Sequence, residues 1–597
     1  MEAKPLPARP SLAQYRKQAK ELVKEFREAQ KLAAGGWNDA LAKTTPSQAA
    51  HEVANRARTW HPRLAKTGEA EMVRAKFALA DAQLVLAREH GFESWAKFVK
   101  EVERRSAEQF AVEVSDPVAE FLAAASVPRE WHASGTLERA DAILRAHPKV
   151  ASANVYTAAV LGDTRGVKRW LKQDARNATA KGGPYEWDAL TYLCFSRYLR
   201  LRPNGSVDGQ AGVQRSLAKA QDNAARVRRP PRTDGFVEAA AALLDVGANP
   251  NTGWQETNPP YPSWEAAIYG AAGLAQHAEL TRLLLERGAD PNDEETAYHV
   301  SETYDNTVMK ILVESGKLNK DGVTTILLRK ADWHDFEGMK WLLEHGADPN
   351  RGTRWGRTAF HQAVLRDNRI EMLEVLLKHG ADPMLVMESN PHSAGTGRLA
   401  TVASIAVIRG RGDLLELMER NGVRFELRGV ERLLGACARG DAAGVRSIRE
   451  NEPELVSELV AQAGMVLAGF AGVGNTEGVR LLLELGVDVN TVFQEGDAYF
   501  DVTKGSSSLQ IAAWRGWPGT VKLLLEHGAN VNARDARGRS ALMLAVKACV
   551  DSHWKQRRTP ESVQALLEEG ATMHGVEWPC GYAEVDGLLE EFGRKRR

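Results

Sequence analysis

Apolar and polar residues alternate along this chain with a helical period, in short stretches that stop and restart. Near the N-terminus Leu12, Tyr15, Ala19, Leu22 and Phe26 recur at three- and four-residue intervals, the spacing that gathers side chains on one helix face. Phe77, Leu79, Ala80, Leu84, Val85 and Leu86 predict a second helix, ended by Gly91, before Ser94 caps a third carrying Trp95 and Phe98. An aromatic stripe at this spacing reads as core. From about residue 240 a shorter phrase takes over: a Leu pair, two variable residues, Gly, a small residue, Asp or Asn, Pro or Val, then Asn. It runs Leu243 to Asn251, Leu284 to Asn292, Leu342 to Asn350, Leu376 to Pro383, Leu482 to Asn490 and Leu524 to Asn532, with weaker copies ending at Gly422 and Gly570.

Each position has a physical task. The Leu pair lies on the buried stripe of a helix, for which neighbouring units supply the other wall. Gly takes the left-handed conformation that ends the helix. The short polar residue after it bonds its own backbone in the turn. From Gly247 to Gly570 the intervals between these glycines are 41, 58, 34, 42, 64, 42 and 42 residues. Gly316 divides the 58 into 28 and 30, and Asn451 divides the 64 into 29 and 35. The underlying period is then ~33 residues with loop insertions, the signature of a stacked helix-turn-helix array.

The other half of the unit is also visible. Gly356-Arg-Thr358-Ala-Phe360-His361-Gln-Ala363 resembles the T-P-L-H-x-A opening of an ankyrin repeat, and Ser507 to Ala513 and Ser540 to Val546 are similar. All three lack the Pro, and only the Thr358 copy keeps the His. Junctions at Pro62, Pro148 and Pro453 read as divergent repeats without the Gly. The stretches from Gly183 to Ser196 and from Arg329 to Asp335 also look typical of bacterial ankyrin-repeat proteins with a helical N-terminal leader, and the chain resembles that group over nearly its whole length. The resemblance implies an all-α ankyrin-repeat solenoid with short β-turn fingers and an N-terminal helical cap. The expected layout is a leader over 1–110, divergent repeats over 111–201, a flexible basic insertion over 202–235, repeats over 236–425 and 426–585, and a short helix with a basic tail over 586–597.

Charge adds little to this picture. Among 597 residues, 78 Lys plus Arg balance 78 Asp plus Glu, which argues against a global footprint for nucleic acid or anionic membrane. Local basic patches occur at Arg226 to Arg232 and at Arg594 to Arg597. The four cysteines form no C-x-x-C pair and fit a reducing, cytoplasmic setting. No secretory signal and no apolar stretch of ~18 residues is present in this sequence.

Catalytic readings find a plainer rival at every point. Asp332-Trp333-His334-Asp335 places an imidazole between carboxylates, yet Asp335 also stands where the next helix needs a cap. His345, His379 and His527 recur once per unit at helix ends, without the convergence a metal demands. The glycines from Gly464 to Gly474 lack a P-loop Lys and read as sites of close helix packing. No cofactor, metal or catalytic residue is therefore expected. Fifteen tryptophans are many for a repeat scaffold, and Trp marks interface hot spots. Trp254, Trp333, Trp355 and Trp514, with Arg351 and Arg354, are the candidate contacts for a protein partner. The expected function is a non-catalytic, monomeric binding scaffold using the concave face and turn fingertips. The alternative is an enzyme or small-molecule sensor with the solenoid as a targeting arm, and its mark would be polar groups gathered from non-adjacent repeats.

Overall fold

The computed structural model describes residues 12–34, 55–65, 75–102, 114–127, 137–200, 234–256, 263–386, 401–552 and 554–595, with positions 4, 6 and 67. The basic insertion expected over 202–235 lies outside the described residues up to position 233, as do Arg596 and Arg597.

The chain divides into two compact units. The first comprises residues 1–125, 137–158 and 182–186, and so takes in more than the leader expected over 1–110. Its long helix α1 (Leu12–Ala34) packs on α2 (Leu79–Glu89), and α3 (Pro117–Ala125) packs on α4 (Glu138–Ala146). The stripe read from the sequence is core: Ala19, Leu22 and Phe26 pack with Phe77, Val85 and Leu86, and Tyr15 with Phe98. Phe26 stacks on Phe77 with centroids 4.2 Å apart. Burying such rings with the surrounding aliphatic side chains stabilises the unit.

The second unit comprises residues 126–136, 159–181 and 187–597. After α5 (Thr164–Gln173), α6 (Ala189–Cys194), α7 (Asp234–Asp245) and α8 (Ala278–Glu286) come α9 (Glu295–His299) and α10 (Thr307–Glu314). The regular repeats follow as pairs: α11 (Lys320–Asp332) with α12 (Phe336–Glu344), α13 (Ala359–Leu365) with α14 (Ile370–Lys378), and α15 (Val402–Ile408) with α16 (Gly412–Arg420). Then come α17 (Val430–Arg439) with α18 (Ala442–Asn451), the extra helix α19 (Pro453–Ala461), and α20 (Ala463–Val473) with α21 (Thr476–Glu484). The series ends with α22 (Ser508–Arg515) and α23 (Pro518–Glu526), α24 (Ala541–Asp551) and α25 (Glu561–Glu568), and α26 (Ala583–Lys595). First helices stack on first helices, as α11 on α13 and α22 on α24; second helices stack on second, as α12 on α14 and α21 on α23.

The repeat phrase explains this stacking. Leu342 and Leu376 are fully buried, and Gly346 closes its helix at φ 85°. In the turn, Asp348 Oδ1 accepts the Asn350 amide at 2.9 Å, as the sequence predicts. The terminal Asn does more. Asn350 Nδ2 donates to Gly380 O at 2.8 Å and its Oδ1 accepts from the Asp382 amide, both in the following repeat. Asn251, Asn292, Asn490 and Asn532 make the same paired bonds forward. One side chain thus satisfies a donor and an acceptor that the next turn leaves unpaired.

First helices start on capping side chains. Thr358 Oγ1 accepts from the His361 amide and Ser507 Oγ from that of Gln510, each closing a capping box. Short hairpins form the fingers: β1 (Gly253–Glu256) pairs antiparallel with β2 (Ser263–Ala266), and β3 (Val492–Phe493) with β4 (Ser506–Ser507). In α20, Gly469 lies where a Cβ would stand 2.5 Å from the Ile408 carbonyl oxygen of α15, and Gly464 where one would meet the Val492 carbonyl oxygen, so Gly469 serves helix packing and Gly464 the approach of the following finger.

Candidate functional site

The six residues singled out by sequence divide into two groups. Trp254, Trp333 and Trp514 are 5%, 4% and 3% exposed, so burial places their rings in packing and not at a free face. Trp254 stacks on Trp187 at 5.4 Å, Trp333 meets Tyr304 edge-on at 6.2 Å, and Trp514 Nε1 donates to Phe500 O at 2.6 Å. Arg351, Arg354 and Trp355 stand at the surface of the finger that follows Asn350. Arg351 pairs with Asp321 at 2.5 Å, and Arg354 pairs with Glu294 while lying 4.8 Å over the Trp355 ring. Trp355 leans on Tyr298 at 5.9 Å. A planar cation thus lies over an indole, with both partly solvated.

A second constellation was not legible from sequence. The C-terminal ends of three consecutive first helices, α11, α13 and α15, converge with that of α22 from a non-neighbouring repeat. Asp332 at the end of α11 accepts from Arg329 at 2.6 Å, Arg366 at 2.7 Å and Gln362. Asp367, after α13, is gripped through both oxygens by Arg409 and again by Arg515 of α22 at 2.9 Å, 148 residues away in sequence. Burial opposes ionisation of both carboxyls. For Asp332, Arg366 and Arg329 outweigh it and lower the carboxyl; for Asp367, Arg409 and Arg515 do, and hold it well below the usual range.

Lying on this hub is the segment between β3 and β4. Asp497 and Val502 bond each other's backbone at 2.8 and 2.9 Å, so the segment folds into a small hairpin of its own. Tyr499 at its tip donates to the Asp332 carbonyl and lies 3.2 Å from His334 Nε2, with the Arg366 guanidinium 4.0 Å over its ring. Phe500 is 2% exposed, under Arg515 at 3.8 Å and Arg409 at 5.6 Å. Asp501 takes Lys547 at 2.9 Å, Arg539 at 3.0 Å and Arg537 at 2.5 Å. Arg557, over Trp517 at 3.9 Å and Trp554 at 5.0 Å, has its guanidinium pushed down to about 9 by burial and by the charge of Arg515. The hub is rich in cations.

Nearer the first finger the balance is reversed. Burial pushes the Glu265 carboxyl up to about 7 and that of Asp293 to about 7. His299, between Glu295 at 3.2 Å and Glu302 at 3.3 Å, resists its burial and rises to about 9 through the Glu302 charge and both hydrogen bonds. It is a buried imidazolium.

For the remaining candidates the structure gives structural roles. Asp335 caps α12, accepting from the Gly338 amide at 2.9 Å, and holds the buried Lys330 at 2.8 Å. His345 and His379 are pinned to the carbonyls of Trp341 and Val375 at 2.7 and 2.8 Å, one per helix end. Among the described residues, no three His, Cys, Asp or Glu side chains are placed to hold a metal ion. Burial raises the thiols of Cys437 to about 12 and Cys549 to about 11, far from a nucleophilic thiolate at neutral pH.

Comparison with known proteins agrees with this geometry. Residues 342–394 match the family model for ankyrin repeats in many copies, and residues 465–574 the model for three copies. The chain is 25% identical over 287 residues to human transient receptor potential cation channel subfamily A member 1, covering 45% of this chain and 24% of that protein. It is 30% identical over 185 residues to human ankyrin repeat and SOCS box protein 6, covering 30% and 35% of the two chains. With human cyclin-dependent kinase 4 inhibitor B it shares 34% over 92 residues, or 15% of this chain and 59% of the inhibitor. The chain thus spans about a quarter to a third of the length of the first two relatives. The fold is an all-α ankyrin-repeat solenoid, and its repeats are of a kind that generally mediates protein–protein interaction.

Proposed function

We propose that the protein is a non-catalytic scaffold that binds a protein partner through its repeat fingers and the inner surface of its array. The observation that carries this reading is the finger after Asn350, where Arg351, Arg354 and Trp355 remain at the surface on a rigidly stitched turn. Rigid presentation of a Trp and Arg anchor limits the entropy lost on association. The repeat match supports the reading, as do relatives named as an inhibitor and a SOCS box protein. A monomer in a reducing, cytoplasmic setting belongs to the same proposal, supported by four unpaired cysteines, three of them buried. A bacterial source with a group-typical leader remains part of it too, resting on the sequence resemblance alone.

The rival reading, an enzyme or sensor with the solenoid as an arm, has one observation in its favour: polar groups from non-adjacent repeats do gather around Asp332 and Asp367. Both carboxylates are committed to guanidinium groups, which leaves neither as a general base. Affinity capture from the native lysate with wild type and with Arg354→Ala/Trp355→Ala tests the scaffold. The expected result is a partner retained by wild type and lost by a variant of unchanged melting temperature. A variant that loses its fold instead would make the pair structural.

A further inference from the structure

Residues 494–505 carry charge opposite to the bed they lie on. The segment holds Glu495, Asp497 and Asp501 against one cation, Lys504. Its bed presents Arg366, Arg409 and Arg515 to the two aromatic rings and Arg537, Arg539 and Lys547 to Asp501. Asp332, Asp367 and Asp535 offset part of that charge. The strap is fastened chiefly by side chains. Its backbone bonds close within its own hairpin or onto the flanking strands at Phe493 and Ser506, apart from Trp514 to the Phe500 carbonyl and Arg539 to the Asp501 carbonyl. Gly496 and Gly505 bracket it at φ 70° and 75°, conformations that side-chain-bearing residues rarely adopt. Gln494, Glu495, Ala498 and Lys504 face solvent, while Phe500 is buried and Val502 packs against Trp514, Leu544 and Ala548, so the segment lies on the groove with one face outward and one inward.

We propose that this strap is an internal stand-in for a ligand. The groove is a docking site for an external protein segment that presents an aromatic residue beside an acidic one in a tight turn, and such a segment enters by displacing residues 494–505. The inference rests on the scaffold reading and names the chemistry of the partner. A guanidinium accepts any carboxylate of suitable geometry, and a cation over a ring is equally transferable. Phosphate would also suit these cations. The seated group, however, is a peptide turn, and Tyr499 donates its hydroxyl to a backbone carbonyl, which suits a protein segment better than a nucleic acid. The tether gives the strap an effective concentration of ~1 mM, so the groove is closed by default and opens only to a partner that outcompetes it.

The test is a titration of a labelled peptide with the sequence of residues 494–505 into the full-length protein, wild type and Tyr499→Ala/Phe500→Ala. The variant, with its strap disarmed, is expected to bind about tenfold more tightly or better, and to release the peptide as salt rises. A variant that melts as wild type does and ignores the peptide overturns the proposal, as does one that binds a single-stranded oligonucleotide in its place. Should the variant not fold, hydrogen exchange on wild type decides. Saturating peptide is expected to strip protection from the Asp497 and Val502 amides, and unchanged protection contradicts displacement. A partner captured through Arg354 and Trp355 alongside a silent peptide titration sinks this inference and leaves the scaffold standing.

Discussion

At the scale of residues, short polar side chains decide how one repeat registers on the next. Asn350 makes two bonds into the turn ending at Asp382, and alanine there removes both while leaving a carbonyl and an amide to water. Asn350→Ala is expected to cost about 1–2 kcal/mol in urea unfolding, because these bonds are solvent-exposed. Glu265 gives a pH-dependent case. Its carboxyl loses a proton near 4.5 in the unfolded chain and near 7 when folded, so the folded state binds the proton more tightly. Stability therefore falls as pH rises from about 4.5 through 7. Glu265→Gln should melt higher than wild type at pH 8, with the gap narrowing towards pH 5; a constant gap would contradict burial as the cause. His299 acts in the same direction at higher pH: its contribution is complete below 6.5 and lost as pH climbs through about 9.

At the scale of elements, the helix pairs and glycine-closed turns were legible because local chemistry dictates them. The Leu pair, the left-handed Gly and the Asx turn each act within a few residues, and Gly346, Asp348 and Asn350 behave as their types require. The capping Thr358 was legible for the same reason, and Thr358→Ala should lower stability by about 1 kcal/mol, read as a fall in melting temperature. The forward bonds of Asn350 were missed, since the turn alone already accounts for the residue. The tryptophans were harder to place. Trp254, Trp333 and Trp514 carry the same composition signal as Trp355, and only the neighbours supplied by their own and adjoining repeats bury three and leave the fourth at the surface. The destination of the finger between β3 and β4 could not be read, because Tyr499 meets Asp332 across 167 residues.

At the scale of the second unit, Asp367 changes the mechanics expected of a repeat array. Stacked repeats ordinarily touch only neighbours, so stability sums from adjacent interfaces. The bond of Asp367 to Arg409 joins neighbouring repeats, whereas its bond to Arg515 ties repeats that are not adjacent in sequence. Asp367→Asn leaves two buried guanidinium groups short of their counter-charge and is expected to cost about 3–5 kcal/mol. Because the carboxyl is depressed in the folded state, that stabilisation is complete above the ordinary carboxylate range. It drains as pH falls below about 4, so wild type and variant should converge in acid. The proposed scaffold holds its protein partner through the Arg354 and Trp355 finger. The most direct measurement is capture from the native lysate by wild type beside Arg354→Ala/Trp355→Ala, with melting curves for both. One partner is expected to be retained by wild type and lost by an equally stable variant. Equal capture by the two would contradict it.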